Sequence, residues 1–333
     1  MNNYFELFRL QQQMVLTQVA NKTGLPVQAV EKDLWVTVVL QMVFMLPVAQ
    51  HFVFKGGMSL SKVWKVIHRF SEDIDLAIYP SIWGFKGDLT KKQIKRLRKA
   101  SPIFVRDELC LSLQEAVAAT SMERWLQVEA DSDGEGDGTY PEPRVIHIRY
   151  KSLFDKDLPY LHLEVKLEGG ARSLLEPTAK VAITSVLEDE LPISTTINQV
   201  KIPTALIEKT FLEKAFLLHE LFSSQSQRGA SRKFRHLYDL AQMMNTDIAT
   251  LAIVNDELWN TIHHRRELYT SMGGVDYALD IRSRIRLSPS NEVIENWRNS
   301  YKDMQSSMIY SEKPTFDDLM KKMEEFEGKF HNY

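Results

Sequence analysis

The sequence predicts an α+β fold: a small mixed sheet with helices over residues 1–203, and a helical domain over residues 204–333. Three observations lead there. Segments with period-two alternation, such as "DIDLAIY" and "RVIHIRY", are confined to the part before Pro203. After Pro203 the strand signals stop and the apolar repeats take helical spacing, which puts mixed elements first and helices last. A length of 333 residues gives room for two domains, each with its own core.

Residues 4–48 read as helices. Leu7, Leu10, Met14 and Val19 lie on rough helical spacing, and "TGLPVQAVEKDLW" is a turn into a second helix with Pro26 near its first turn. "HFVFK" is a short apolar strand, "GGMSLSKVWKVIHRF" a helix opened by glycines, and "DIDLAIY" a half-buried strand. Gly87 to about Ala119 is helical, beginning with "TKKQIKRLRKA". "ERWLQVEA" and "RVIHIRY" are strands joined by the loop "DSDGEGDGTYPEP", and "YLHLEVKL" is another alternating strand. Glu176 to Pro203 is irregular, punctuated by Pro177, Pro192 and Pro203. Helical periodicity then carries "TALIEKTFLEKAFLLHELF", "RKFRHLYDLAQMM", "IATLAIVNDELWNTIHHRREL", "NEVIENWRNSYKDMQSSM" and "TFDDLMKKMEEFEGKF".

The formal net charge of −3 excludes a globally basic nucleic-acid binder but not a local basic groove. One cysteine, Cys110, excludes an internal disulfide framework and suits a reducing cytosol. "MNNYFELFRLQQQ" lacks the pattern of a signal peptide. "WVTVVLQMVFMLPVA" is too short to span a bilayer and holds Thr37 and Gln41, so it reads as a buried core helix. The expected setting is cytoplasmic, with no membrane contact.

The chemistry concentrates in "FKGGMSLSKVWKVIHRFSEDIDLAI", Phe54 to Ile78. Residues two apart in a strand face the same side, so Asp73 and Asp75 project together, about 7 Å apart at the backbone. Unless they simply face solvent on an edge strand, two such carboxylates repel and call for a cation. Mg²⁺ suits them, since it binds through a couple of carboxylates plus substrate phosphates. Glu164, in "LHLEVKL", is a third acid that could join them if its strand lies alongside. Three carboxylates can hold two metal ions roughly 3.5–4 Å apart. Gly56 and Gly57 open a helix, whose N-terminus attracts phosphate, and Ser59 can add a hydroxyl; Lys62 joins the nucleotide-binding candidates. The P-loop pattern is absent. A phosphate cradle and an acidic metal site joined by one helix describe a nucleotidyl-transfer site.

The same stretch resembles the core motif of the AbiEii/AbiGii-type nucleotidyltransferase toxins, members of the DNA polymerase β-like nucleotidyltransferase superfamily. "VEKDLWVTVVLQMV" upstream, and "LHLEVKL", "KTFLEKAFLLHE" and "RKFRHLYDL" downstream, extend the resemblance from about Val30 to Leu240. It implies a polymerase β-like core and a C-terminal helical domain. It places Gly56, Gly57 and Ser59 on an NTP triphosphate, Asp73 and Asp75 on the metal, and Glu164 as third acid. Lys214, in "LEKAF", would neutralise the phosphates, and Asp239, in "LYDL", would orient that lysine or close the site. Met58 stands where the family often has Thr or Ser, and Arg235–His236 where it often has Arg-Asp. The implied activity is transfer of a nucleoside monophosphate to RNA, tRNA above all; the alternatives are the same fold nucleotidylating or phosphorylating a protein or small molecule, and a nucleotide-binding module without catalysis. The implied role is that of a bacterial toxin in toxin–antitoxin or phage defence, with an antitoxin partner.

Other features carry alternatives. "DSDGEGDGTYPE" imitates a calcium loop, with Asp131, Asp133, Glu135, Gly136 and Glu142 in register, yet strands flank it and a solvated hairpin loop is the expectation. "TKKQIKRLRKA" holds six cations, Lys91, Lys92, Lys95, Arg96, Arg98 and Lys99, either a solvated face or contacts to RNA phosphates. "SRKFRH" and "HHRR" could form the other wall of a groove. Arg282, Arg284 and Arg286 alternate without an assignment, and "SMGGVDYALD" reads as a loop. No H-E-x-x-H pair suggests a zinc hydrolase.

Overall fold

The computed structural model describes residues 2–71, 73–120, 122–131, 144–154, 162–195, 200–224, 233–278 and 280–333. It divides into two units, Met1–Val63 with Ser71–Thr204, and Trp64–Phe70 with Ala205–Tyr333.

The elements up to the division are β1 (Asn2–Asn3), α1 (Arg9–Thr23), α2 (Val27–Met45), β2 (Phe52–Lys55), α3 (Gly56–Lys62), β3 (Asp73–Ile78), α4 (Lys91–Phe104), α5 (Cys110–Ala119), β4 (Leu126–Ala130), β5 (Arg144–Tyr150), β6 (Glu164–Gly170), β7 (Thr178–Ala182), α6 (Val186–Glu190), β8 (Ile193–Ser194) and β9 (Lys201–Ala205). A seven-stranded sheet runs in the order β4-β5-β6-β3-β2-β9-β7, and β1 pairs with β8 apart from it. β3 lies antiparallel to β2 and parallel to β6, so the sheet is mixed and β3 is an interior strand.

The apolar run of the sequence forms α2, apolar around nearly its whole circumference and buried accordingly. Among the described residues no helix is long and apolar enough to cross a membrane. The charged groups of the "EKD" stretch inside α2 survive burial because each is bonded. The Glu31 carboxylate accepts from Ser152 Oγ at 2.6 Å and the Leu153 amide at 2.7 Å. Lys32 Nζ donates to the His162 carbonyl at 3.2 Å. Asp33 accepts from Lys62 Nζ at 2.6 Å and the Val186 amide at 2.7 Å. The "EKD" of "VEKDLW" thus ties four segments to one core helix.

Two elements differ from expectation. The helix expected over residues 56–70 ends at Lys62. Val63, Val66 and Ile67 are β-branched and weak helix formers, Lys65 takes a left-handed φ of 52°, and the chain passes to the second unit. There the Phe70 amide donates to the Met308 carbonyl at 2.9 Å and the Tyr310 amide to the His68 carbonyl at 3.2 Å. The stretch read as irregular contains β7, α6 and β8.

The second unit holds α7 (Ile207–Ser223), α8 (Phe234–Met243), α9 (Asp247–Ile253), α10 (Asp256–Tyr269), α11 (Ile294–Ser307) and α12 (Phe316–His331). Phe211, Phe216, Trp259 and Phe330 pack at its centre.

Candidate active site

The turn from β2 into α3 builds one side of the site. β2 and β3 pair antiparallel with Lys55 opposite Asp75 and Phe54 opposite Leu76. Asp73 and Asp75 are half-buried and share a face, while Ile74 is fully buried on the other. Gly56 opens α3 at φ 79°, and a Cβ placed there would lie 1.9 Å from Asp75 Oδ2. The Asp75 carboxylate therefore sits directly against the glycine backbone, which no residue with a side chain allows. The N-cap residue of α3, Lys55, makes no side-chain hydrogen bond to the first turn. Gly56→Ala is expected to push the Asp75 carboxylate aside and lower activity by roughly 10²-fold, with a strain cost of about 1–3 kcal/mol. Thermal melting and pyrophosphate release, measured side by side, check this.

The parallel pairing of β3 with β6 sets which acid joins them. Asp73 lies opposite Lys166 and Asp75 opposite Glu168. The carboxylate beside Asp75 is therefore that of Glu168, not the expected Glu164. Glu164 begins β6 and lies opposite Arg149 of β5. Its Oε2 is 3.1 Å from His147 Nδ1, and Lys166 Nζ stands 3.7 Å from Oε1. Burial raises the Glu164 carboxyl, but the hydrogen bond and charge of His147, with Lys166 and Arg149, outweigh it and hold the group below its usual range.

Two further candidates face elsewhere. Ser59 is fully buried, and its hydroxyl donates to the Gly56 carbonyl at 2.8 Å, so it braces the glycine turn. Lys62 is bound to Asp33 at 2.6 Å with its side chain only 4% exposed, so it anchors α3 to α2. Gly57 is buried in the first turn of α3.

A cavity of about 160 Å³ opens at the acids, lined by Lys55, Asp75, Leu76, Glu168, Gly170, Arg172 and Ser173. Glu168, Lys55 and Arg172 are the residues that sequence reasoning missed. The signal for Glu168 was its place in the same alternating strand, two turns of the pleat beyond Glu164. The donors are carboxylate oxygens, a hard set that suits Mg²⁺ rather than a softer metal. Among the described residues no three His, Cys, Asp or Glu side chains form a ready-made metal cage. The set fits a cation that takes the rest of its shell from substrate phosphates and water, as Mg²⁺ commonly does.

In the second unit, Lys214 of α7 and Asp239 of α8 meet: Lys214 Nζ is 2.9 Å from Asp239 Oδ2. Arg69 grips the same carboxylate with both prongs, Nε to Oδ1 at 2.7 Å and Nη2 to Oδ2 at 2.8 Å. Burial raises the Asp239 carboxyl, but the charges and hydrogen bonds of Arg69 and Lys214 hold it far below the usual range. One carboxylate serves two cations. Lys214 is accordingly held below its ordinary value, by burial first and then by Arg69 and Arg235, against the pull of Asp239. Burial and the Lys214 charge keep His236 neutral, and its Nδ1 accepts from Lys214 Nζ at 3.1 Å.

The six cations of α4 are all exposed, while Ile94 and Leu97 of the same helix face inward. Of the other basic segments, "HHRR" is engaged at three of its residues, and Ser231 and Arg232 of "SRKFRH" lie outside the described residues. Arg266 of "HHRR" pairs with the buried Glu220, Arg265 lies 3.4 Å over the Tyr269 ring, and His263 stacks on Phe216. Arg282 lies 4.6 Å over Trp259 and binds Asp256. Arg284 binds Asp276 and Asp280 of the "SMGGVDYALD" loop. Of the calcium-like loop only Asp131 is described, paired with Arg144 at 2.5 Å; residues 132–142 lie outside the described residues.

Over residues 41–322 the chain matches the family described as "Nucleotidyl transferase AbiEii toxin, Type IV TA system". No curated protein matches it in sequence. Among solved structures, MenT4, a nucleotidyltransferase toxin from Mycobacterium tuberculosis H37Rv, is similar with a TM-score of 0.50. The two share 15% identity over 98% of this chain and 90% of that one, a likeness of fold alone. It is the α+β class that the alternating and helical periodicities predict.

Proposed function

The chain belongs to the AbiEii nucleotidyltransferase toxin family of type IV toxin–antitoxin systems, and from that premise we propose that it transfers a nucleoside monophosphate from an NTP to a hydroxyl of RNA, with tRNA as acceptor, Mg²⁺ as cation and a cognate antitoxin as protein partner. The observation that carries this is the first unit's acid face: Asp73 and Asp75 beside Glu168, with the Asp75 carboxylate seated against the Gly56 backbone.

In this proposal Asp73 and Asp75 hold one or two Mg²⁺ ions, with Glu168 beside them. When bound, the cation offsets the triphosphate charge and stabilises the departing pyrophosphate. The chain itself supplies placement. Gly56 and Gly57 let phosphate oxygens come close to backbone amides. The acceptor oxygen forms a bond to the α-phosphorus in line as the bond from that phosphorus to the α,β-bridging oxygen breaks. Pyrophosphate leaves with the bridging oxygen, and the hydroxyl proton passes to solvent. Lys214 is proposed to neutralise phosphate charge and Asp239 to orient it, on the strength of the family motif and of their 2.9 Å pair.

The exposed cations of α4 favour RNA over a neutral acceptor, because phosphate contacts dominate nucleic-acid affinity. Changing Lys91, Lys92, Lys95 and Arg96 together to alanine is expected to weaken RNA binding. It should also flatten the dependence of log K on log salt by roughly 0.7 for each phosphate the helix no longer neutralises. Fluorescence anisotropy across a salt series reads both. The transfer itself is tested by incubating the protein with total RNA, Mg²⁺ and each α-labelled NTP. Label in the tRNA band supports the proposal; label on protein alone, or none, overturns the RNA acceptor.

A further inference from the structure

Two groups expected to meet the triphosphate in the first unit are engaged elsewhere: Ser59 donates to Gly56 and Lys62 is bound to Asp33. A triphosphate brought to Asp75 and Glu168 would face two carboxylates, and a cationic side chain close by would add to the offset that a bound metal ion supplies. Lys55 stands there. It is the last residue of β2, directly opposite Asp75 in the ladder, and lines the same cavity. Cross-strand partners project to the same face of a sheet, so the lysine stem and the Asp75 carboxylate leave the strands on one side. Yet among the described residues Lys55 forms no ion pair, with Asp75 or with any other acid. Its backbone is the extended residue immediately before α3, next to the glycine turn against which Asp75 rests. An ammonium group on a flexible stem is a compact point charge, well suited to phosphate oxygens.

We propose that Lys55 binds the triphosphate of the incoming nucleotide, holding its charge beside the Gly56–Gly57 turn and across from Asp75. This rests on the nucleotidyl-transfer reading of the same site and adds to it the residue that recognises the polyphosphate.

The experiment compares full-length wild type with Lys55→Met, Lys55→Gln and Lys55→Arg. Steady-state pyrophosphate release gives kcat and KM for the NTP, calorimetry with Mg²⁺ gives NTP affinity, and thermal melting monitors the fold. Removing a charge-assisted hydrogen bond to phosphate is expected to raise KM and Kd by roughly 10- to 100-fold in K55M and K55Q. K55R, which keeps the charge, is expected to stay near wild type. NTP affinity and KM unchanged in a folded K55M or K55Q variant would overturn the inference, and would mean that Lys55 only balances the acids of the resting site. If K55M does so while D75N abolishes turnover, the nucleotidyl-transfer reading stands and the Lys55 inference alone falls. A wild-type protein that neither binds nor turns over any NTP would overturn both.

Discussion

Asp75→Asn is expected to lower nucleotidyl transfer by roughly 10³-fold or more while the protein stays folded. Asparagine keeps the shape of aspartate, so its contact with the Gly56 backbone is preserved. What it removes is the negative charge that a hard cation needs. The change therefore separates chemistry from packing better than alanine would. Glu168→Gln is expected to follow Asp75→Asn in direction with a smaller loss, because Glu168 lies opposite Asp75 across β3 and β6. Glu164→Gln is expected to leave transfer near wild type, since His147, Arg149 and Lys166 surround that carboxylate. Pyrophosphate release at saturating NTP measures all three. Turnover in Asp75→Asn within a few-fold of wild type would remove the acid face from the reaction altogether.

What the sequence could and could not disclose follows from the range of the interactions involved. Asp73 and Asp75 share a face because strand periodicity is local, and their alternation with Ile74 and Leu76 is visible in the string. The choice between Glu164 and Glu168 is not local. Both lie on one face of the same alternating strand, and only the register of a parallel pair, set by packing far away in sequence, decides which one meets Asp75. Ser59 shows the same limit on a helix: its position in the turn is legible, its inward rotation to Gly56 is not. Lys62 reads as a free cation until Asp33 of a distant helix is seen beside it. The break of the helix after Lys62 has a local signal in Val63, Val66 and Ile67, which the helical spacing of the apolar residues masks. Glu31, Lys32 and Asp33 look like an ordinary charged turn of helix, and their partners at Ser152, His162 and Val186 lie more than a hundred residues on.

Asp239→Ala is expected to destabilise the second unit by about 3–5 kcal/mol, because it removes the carboxylate that Arg69 and Lys214 share and leaves two buried cations without its counter-charge. That corresponds to a fall in melting temperature of roughly 10 °C or more for a unit of this size. The pH dependence has a definite sign. The Asp239 carboxyl is depressed in the folded chain, so its contribution is complete above its unfolded value of about 4 and is lost as the pH falls below that toward the folded value. Wild-type stability should therefore drop below about pH 4, and the drop should be shallower in Asp239→Asn, which has no proton to take up there. Lys214→Met acts on the other side of the same cluster with a different outcome. Arg69 still holds both oxygens of Asp239, and the cation removed is the surplus one, already disfavoured by burial. Its stability cost should lie within about 1 kcal/mol of zero. If Lys214 takes part in transfer as proposed, K214M loses turnover while its melting temperature holds. A variant that keeps both would reduce Lys214 to a neighbour of Asp239, and one that loses both would make the lysine a structural tie whose effect on activity comes only through the fold.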